Sequence, residues 1–256
     1  MQCKEIIEVL EQDYSRSYAL SWDNVGLLAG RDDKEVKKIY VAVDATDEVI
    51  EAACACKADM LITHHPLIFG GRMKITNEDF IGRRLLKLIR EDISYYAMHT
   101  NYDVLGMASL SGKMLSLRDT EALEITEEEE GIGRIGNFPK EMTLEACCEQ
   151  VKKAFRLEHV KVFGELSRRV RRVAICPGSG KSVIGVSIEK GADVLVTGDI
   201  GHHEGIDAAA QGLSIIDAGH YGVEHIFIED MKQYLIQHFQ EMEVIGAPIS
   251  HPFIIL

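Results

Sequence analysis

The chain has 256 residues, enough to bury one large or two modest cores without disulfide or metal staples. Hydrophobic residues make up 46% and charged residues 27%, an ordinary globular balance that argues against disorder. The net charge of −13 disfavours a sequence-independent grip on nucleic acid or on an anionic membrane surface, because both need a basic footprint. No apolar run approaches the ~20 residues that cross a bilayer. The first residues, Met1-Gln2-Cys3-Lys4-Glu5-Ile6-Ile7, read as an acidic amphipathic helix rather than a signal peptide. Six cysteines, at 3, 54, 56, 147, 148 and 176, follow neither a zinc-knuckle nor a disulfide-framework spacing. The expectation is a cytoplasmic protein with buried thiols. Cys54-x-Cys56 is not a dithiol motif and falls on a predicted helix, which removes a redox reading.

In chain order, residues 3–12 carry Ile6, Ile7 and Leu10 at helical spacing. Ile39-Tyr40-Val41-Ala42-Val43 is a strand ending at Asp44, and Thr46 caps a helix through Ala58. Met60–Thr63 is a second strand. Residues 77–91 form an amphipathic helix capped by Asn77, and Ser94–Met98 is a third strand. The stretch 116–140 reads as surface connector and turns, because it holds the run Glu127-Glu128-Glu129-Glu130 and then three glycines within six residues. A helix over 143–156 and a strand near 159–164 follow. Strand–helix alternation predicts an α/β fold with a mostly parallel sheet.

Lys57-Ala58-Asp59-Met60-Leu61-Ile62-Thr63 returns as Gly191-Ala192-Asp193-Val194-Leu195-Val196-Thr197. Val41-Ala42-Val43 has a counterpart in Val173-Ala174-Ile175, and His99-x-x-x-Asp103 in His220-x-x-x-Glu224. Three matches in one order predict two similar α/β lobes from an internal duplication, facing across a metal-binding cleft. The expected divisions are an N-terminal lobe over 1–115, a connector with helix and strand over 116–165, and a C-terminal lobe over 166–256.

Ligands of open α/β sheets collect beyond the carboxyl ends of strands. Those positions carry His64-His65-Pro66, His99 with Asp103, and His220 with Glu224. Imidazole with carboxylate is a donor set for divalent Zn, Fe or Mn, and carboxylates can serve two ions at once. Adjacent histidines on a continuing strand would diverge, but Pro66 breaks the strand and lets both rings turn one way. Surface or capping roles for each residue are the competing reading, and repetition in both halves favours metal.

The segments Ser21-Trp22-Asp23-Asn24-Val25-Gly26-Leu27, Ile62-Thr63-His64-His65-Pro66-Leu67-Ile68-Phe69, His99–Asp103, Thr197-Gly198-Asp199-Ile200-Gly201-His202-His203-Glu204 and Gly219–Glu224 resemble the Nif-three-like family. Its bacterial members carry the name GTP cyclohydrolase 1 type 2 homologue. The resemblance runs from about residue 5 to the C-terminus. It implies a two-lobed α/β fold, a dinuclear metal site and ring-shaped homo-oligomers, hexamers among them. The family's metal ligands fall on His64, His65, Asp103, His220 and Glu224, and His99 supports them. The chain departs from the family in Tyr102, in Pro177 within a glycine-rich turn, and in lacking the inserted domain of longer members.

Other signals weigh less. Cys176-Pro177-Gly178-Ser179-Gly180-Lys181-Ser182 ends like a phosphate loop, but its first glycine would fall on Ile175, so a plain strand-to-helix turn is the better reading. Arg168-Arg169-x-Arg171-Arg172 reads as an exposed edge strand. His202 and His203 read as cleft-lining, with His203 a candidate general acid/base. Trp22-Asp23-Asn24 is either a substrate contact or an Asx turn. The expected function is metal-dependent hydrolysis of a small phosphorylated or nucleotide-like substrate by two divalent ions (Zn, Fe or Mn), with GTP ring opening as the activity the resemblance suggests. The alternative is a non-enzymatic metal-binding regulatory or interaction protein.

Overall fold

The computed structural model describes residues 1–255. In chain order its elements are α1 (Cys3–Asp13), β1 (Gly26–Ala29), β2 (Lys38–Ala42), α2 (Asp47–Ala55), β3 (Met60–Thr63), α3 (Phe80–Arg90), β4 (Ser94–Ala97) and α4 (Thr100–Tyr102). A π-helical turn, Asp103–Met107, leads into α5 (Ala108–Met114), β5 (Arg118–Glu127), β6 (Glu130–Thr143), α6 (Leu144–Phe155), β7 (Lys161–Phe163) and β8 (Arg169–Ser179). Then come α7 (Ile184–Glu189), β9 (Val194–Gly198), α8 (His202–Ala210), β10 (Ser214–Asp217), α9 (His220–Glu224), α10 (Ile226–His238) and β11 (Glu243–Gly246). The fold is mixed α/β with two sheets, and none of the described helices is long and apolar enough to cross a membrane.

The chain forms two compact units, Met1–Tyr102 with Phe227–Ser250, and Asp103–Ile226 with residues 251–255. The first holds a five-stranded sheet in the order β1-β4-β3-β2-β11. Its β4, β3, β2 and β11 are parallel, and β1 is an antiparallel edge. Every residue of β3 and β4 is buried, as expected of parallel strands covered on both faces. Tyr40, Leu61, Leu85, Leu88 and Tyr95 lie in the core on one side of this sheet.

The second unit holds a six-stranded sheet in the order β5-β6-β8-β9-β10-β7, parallel only across β8, β9 and β10. Its core gathers Leu123, Ile135, Ala174, Leu195, Ile200 and Ile215. The same anchoring device recurs in both units. Asp59 Oδ2 accepts from the Lys37 and Lys38 backbone N–H groups at 2.8 and 2.9 Å. Asp193 Oδ2 accepts from those of Arg171 and Arg172 at 2.8 Å each.

Three expectations need correction. The stretch 116–140 is not a connector but the long hairpin β5–β6, turning at Glu128-Glu129. Its glycines mark close approach of backbone: a Cβ on Gly131 would run into the Glu124 carbonyl. The arginine run opens an interior strand rather than an edge one: β8 lies between β6 and β9, with β6 paired along the run and β9 from Val173 onward, and Arg169 and Arg172 bind Glu141 and Glu121. Helix α3 starts later than expected because Asp79, not Asn77, caps it by accepting from Gly82 N–H at 2.8 Å.

The phosphate-loop look-alike is strand. Residues up to Ser179 belong to β8, and Gly180 donates its N–H to the Gly198 carbonyl at 3.2 Å. A Cβ on Gly180 would clash with Thr197, so the glycine serves packing of β8 on β9. Lys181 pairs with Glu204 at 2.5 Å.

The turn after β3 is built by a buried hydroxyl. Tyr95 Oη accepts from Leu67 N–H at 2.8 Å and sits 2.9 Å from Thr63 Oγ1, whose own hydroxyl donates to the His65 carbonyl at 2.7 Å. Tyr95→Phe strands the Leu67 N–H, so urea denaturation is expected to show a loss of about 1–3 kcal/mol. Unchanged stability would mean that this hydroxyl does not hold the turn.

Candidate metal centre

Parallel strands deliver the chemistry-bearing side chains of each unit to one edge of its sheet. In the first, β2 is followed by Asp44, β3 by His64 and His65, and β4 by His99. The rings of His64, His65 and His99 lie 4.9–5.4 Å apart, and one donor atom from each lies within 4.8 Å of the others. This group could hold a metal ion.

The hydrogen bonds at Nδ1 decide what each ring can offer. His64 Nδ1 is 3.0 Å from the Met98 carbonyl, which can only accept, so Nδ1 carries the proton and Nε2 the lone pair. His65 Nδ1 lies 2.7 Å from Asp44 Oδ1, and His99 Nδ1 2.9 Å from Asp23 Oδ1. A carboxylate on Nδ1 again fixes the proton there and makes Nε2 the more basic nitrogen. Asp23 is itself wholly enclosed and accepts from the Thr100 backbone N–H and hydroxyl through Oδ2, at 3.0 and 2.5 Å. Burial would raise its pKa, but the bonds from His99 and Thr100 bring it down to about 2. Within Trp22-Asp23-Asn24 it is therefore Asp23 that positions His99, while Asn24 Nδ2 donates to the Ile68 carbonyl.

The second unit repeats the arrangement. Asp199 follows β9 and His220 follows β10, with His220 Nδ1 2.7 Å from Asp199 Oδ2. One helical turn on, the buried Glu224 places Oε2 3.1 Å from His220 Nε2. A side chain at Gly178, whose φ is +75°, would meet Glu224 Oε1 at 2.6 Å, so glycine leaves this carboxylate its space. Asp103 opens the π-helical turn, a local form common at functional sites. Its charge and that of Glu224 reach the same thiol: burial pushes the Cys176 pKa up, and these two carboxylates push it further. Cys176 is thereby held as a neutral thiol.

Burial alone would lower the His220 pKa. The hydrogen bond and charge of Glu224, and then those of Asp199, override it and carry it up to about 9. The metal-free imidazole is thus protonated at neutral pH, and a metal must displace that proton.

Of the residues singled out from sequence, His64 and His65 come together with His99 in one unit, and His220 with Glu224 in the other. His203 lies exposed in the first turn of α8, 5.1 Å from the His202 ring, and in no donor group among the described residues. Sequence reasoning missed Asp44 and Asp199. The available signal was an Asp at the end of the strand parallel and adjacent to each histidine-bearing one. Tyr102 is fully buried, its hydroxyl donating to Asp230 at 2.6 Å and its ring 6.2 Å from that of His64.

Asp44→Asn and Asp199→Asn are expected to weaken divalent-metal affinity about 10–100-fold without unfolding the chain. Competition titration with a chromogenic chelator measures this, and unchanged affinity would remove the supporting role. Because His220 must lose a proton, affinity is also expected to rise by up to about tenfold per pH unit from roughly pH 6 to 8. A flat profile would contradict the raised His220 pKa.

Comparisons with known proteins place the chain in a family. The Duf34/NIF3 (NGG1p interacting factor 3) family model matches residues 1–252. The GTP cyclohydrolase 1 type 2 homolog of Clostridium perfringens is 33% identical over 228 residues, covering 88% of this chain and 87% of its own. That of Lactococcus lactis is 35% identical over 234 residues and covers 89% of each. Among solved structures, a Bacillus cereus protein related to NIF3 superposes with a TM-score of 0.94 at 25% identity, over 100% of this chain and 99% of that one. The chain is a member of the Duf34/NIF3 family.

Proposed function

We propose that this chain is a divalent-metal-dependent hydrolase of a small phosphorylated or nucleotide-like substrate. Its ligands to two ions of the Zn, Fe or Mn type are His64 and His65 of the first unit and Asp103, His220 and Glu224 of the second. One observation carries the reading. Each of His64, His65 and His220 has Nδ1 engaged by a carbonyl or carboxylate oxygen, which is the support that metal-binding histidines require. The donor set is nitrogen and oxygen only, which suits these ions. Divalent ions held there would supply Lewis acidity and lower the pKa of water toward neutrality.

The chain's own residues have separable tasks. Met98, Asp44 and Asp199 orient the rings, Glu224 and Asp103 supply negative charge, and Asp23 holds His99 near His64 and His65. The names of the relatives, GTP cyclohydrolase 1 type 2 homologs, make GTP the first substrate to assay. The alternative, a metal-binding interaction protein without turnover, takes support from the family's description as an NGG1p interacting factor.

The matching Asp59 and Asp193 anchors support a further element of the reading, that the two parallel cores descend from one duplicated unit. Assembly as a homo-oligomer, a hexamer by family resemblance, belongs to the same proposal, as does a cytoplasmic location.

Elemental analysis of protein purified without chelator is expected to give about two equivalents of metal, and fewer in a His64→Ala/His220→Ala double variant. GTP consumption by the metal-loaded protein should exceed that of His65→Ala. Metal without turnover of GTP or of other phosphorylated compounds would favour the interaction protein, and no metal in either form would contradict both readings.

A further inference from the structure

The first unit contains a cavity of about 470 Å³ between the Trp22–Asn24 loop and the segment following Pro66, within the size range of small-ligand sites. Ile68, Phe69 and Ile75 make part of its wall apolar, and Asn24 and Arg72 supply polar groups. Asp23, which holds His99, lines it as well, so the cavity adjoins the histidine cluster through a shared side chain.

Two polar features have capacity left over. The Arg72 side chain is three-quarters enclosed and gives one terminal N–H to Asp79, yet its Nε–H is buried without a hydrogen-bond partner. Asp79 cannot turn to serve it freely, because its other oxygen caps α3 at the Gly82 N–H. A buried guanidinium N–H left unmade is costly, and an incoming anion is the group that satisfies it, in forked geometry if it is a carboxylate or phosphate. Asn24 Nδ2 donates to the Ile68 carbonyl at 2.7 Å, which leaves Oδ1 to accept from a ligand. Beside these groups Phe69 keeps 55% and Trp22 58% of its surface wet, and both rings stand edge-on to His99 at 5.9 Å. Exposed aromatics next to a cavity offer stacking surface to a planar ligand.

We propose that this cavity is a subsite for the anionic, aromatic end of a small ligand: a phosphate or carboxylate on the Arg72 guanidinium, and a planar ring against Phe69 and Ile68 with an N–H to Asn24 Oδ1. As an account of substrate choice this rests on the hydrolase reading, with the anchored end held here and the reacting end at the histidines. As an account of binding it stands alone. A mononucleotide and a simple aryl phosphate share the required chemistry, ring plus anion.

The test is calorimetric titration of chelator-treated, metal-free protein with guanosine 5′-monophosphate, phenyl phosphate, guanosine and inorganic phosphate. The first two, or one of them, should bind saturably, and guanosine and inorganic phosphate about tenfold more weakly or less. Arg72→Met should lose about tenfold or more, while Arg84→Met, which removes a like charge paired to Asp47 outside the cavity, should lose nothing. Phe69→Ala and Asn24→Ala test the ring contacts if Arg72→Met folds poorly by circular dichroism. A preference for the nucleotide that disappears in Asn24→Ala assigns a nucleotide ligand, and tighter phenyl phosphate binding assigns a simple aryl one. Absence of saturable binding by both probes, equal binding by Arg72→Met, or inorganic phosphate binding as tightly as either probe would overturn the proposal. Because no metal is present, failure here leaves the metal-centre reading untouched, and failure of that reading leaves this result interpretable.

Discussion

A histidine tied at Nδ1 to an oxygen has Nε2 as its remaining donor, and the strand ends of this protein are arranged around that constraint. Parallel neighbours place one acceptor beside each ring: Asp44 after β2 for His65 after β3, and Asp199 after β9 for His220 after β10. The Met98 carbonyl after β4 does the same for His64. The register of each sheet therefore fixes not only where a histidine stands but which oxygen engages its Nδ1. A one-residue slip would move the acceptor to the opposite face and release the ring. This is why the anchors of the strands, Asp59 and Asp193 on consecutive backbone N–H groups, belong to the account of the site as much as to that of the fold.

Electrostatics sharpen the arrangement. The chain is strongly acidic, and the enclosed carboxylates of Asp23 and Glu224 face imidazoles, whereas the buried Asp217 pairs with Lys161. At His220 the outcome is an imidazolium that stands in for a cation, with Glu224 on one nitrogen and Asp199 on the other. At Asp23 the same logic yields a carboxylate that stays ionised while wholly enclosed, because three donors face it from His99 and Thr100. Cys176, a buried thiol within reach of the Asp103 and Glu224 charges, is driven the other way and is kept neutral.

Much of this was legible in the sequence because it is local. Compact apolar runs gave β2, β3 and β4, Thr46 gave the start of α2, and residues after strand ends gave the histidines. The β5–β6 hairpin was not legible, because its glycines mimic turn signals when their purpose is close contact between strands. The pairing of β11 with β2 was equally hidden, since a four-residue strand joined across some two hundred residues leaves no periodic trace. Asp44 and Asp199 escaped because an Asp at a strand end reads as a turn residue until the neighbouring strand is known. Arg72 escaped because burial of a single N–H is a property of packing alone.

The central claim is that the Nδ1 tethers present Nε2 of His64, His65 and His220 to metal. Anomalous diffraction from metal-soaked crystals, collected on either side of the metal's absorption edge, tests it directly. The account predicts ions against the Nε2 atoms of these three rings, with the Met98, Asp44 and Asp199 hydrogen bonds intact at Nδ1. Ions bound at Nδ1 in place of those oxygens, or only at sites away from these histidines, would contradict it.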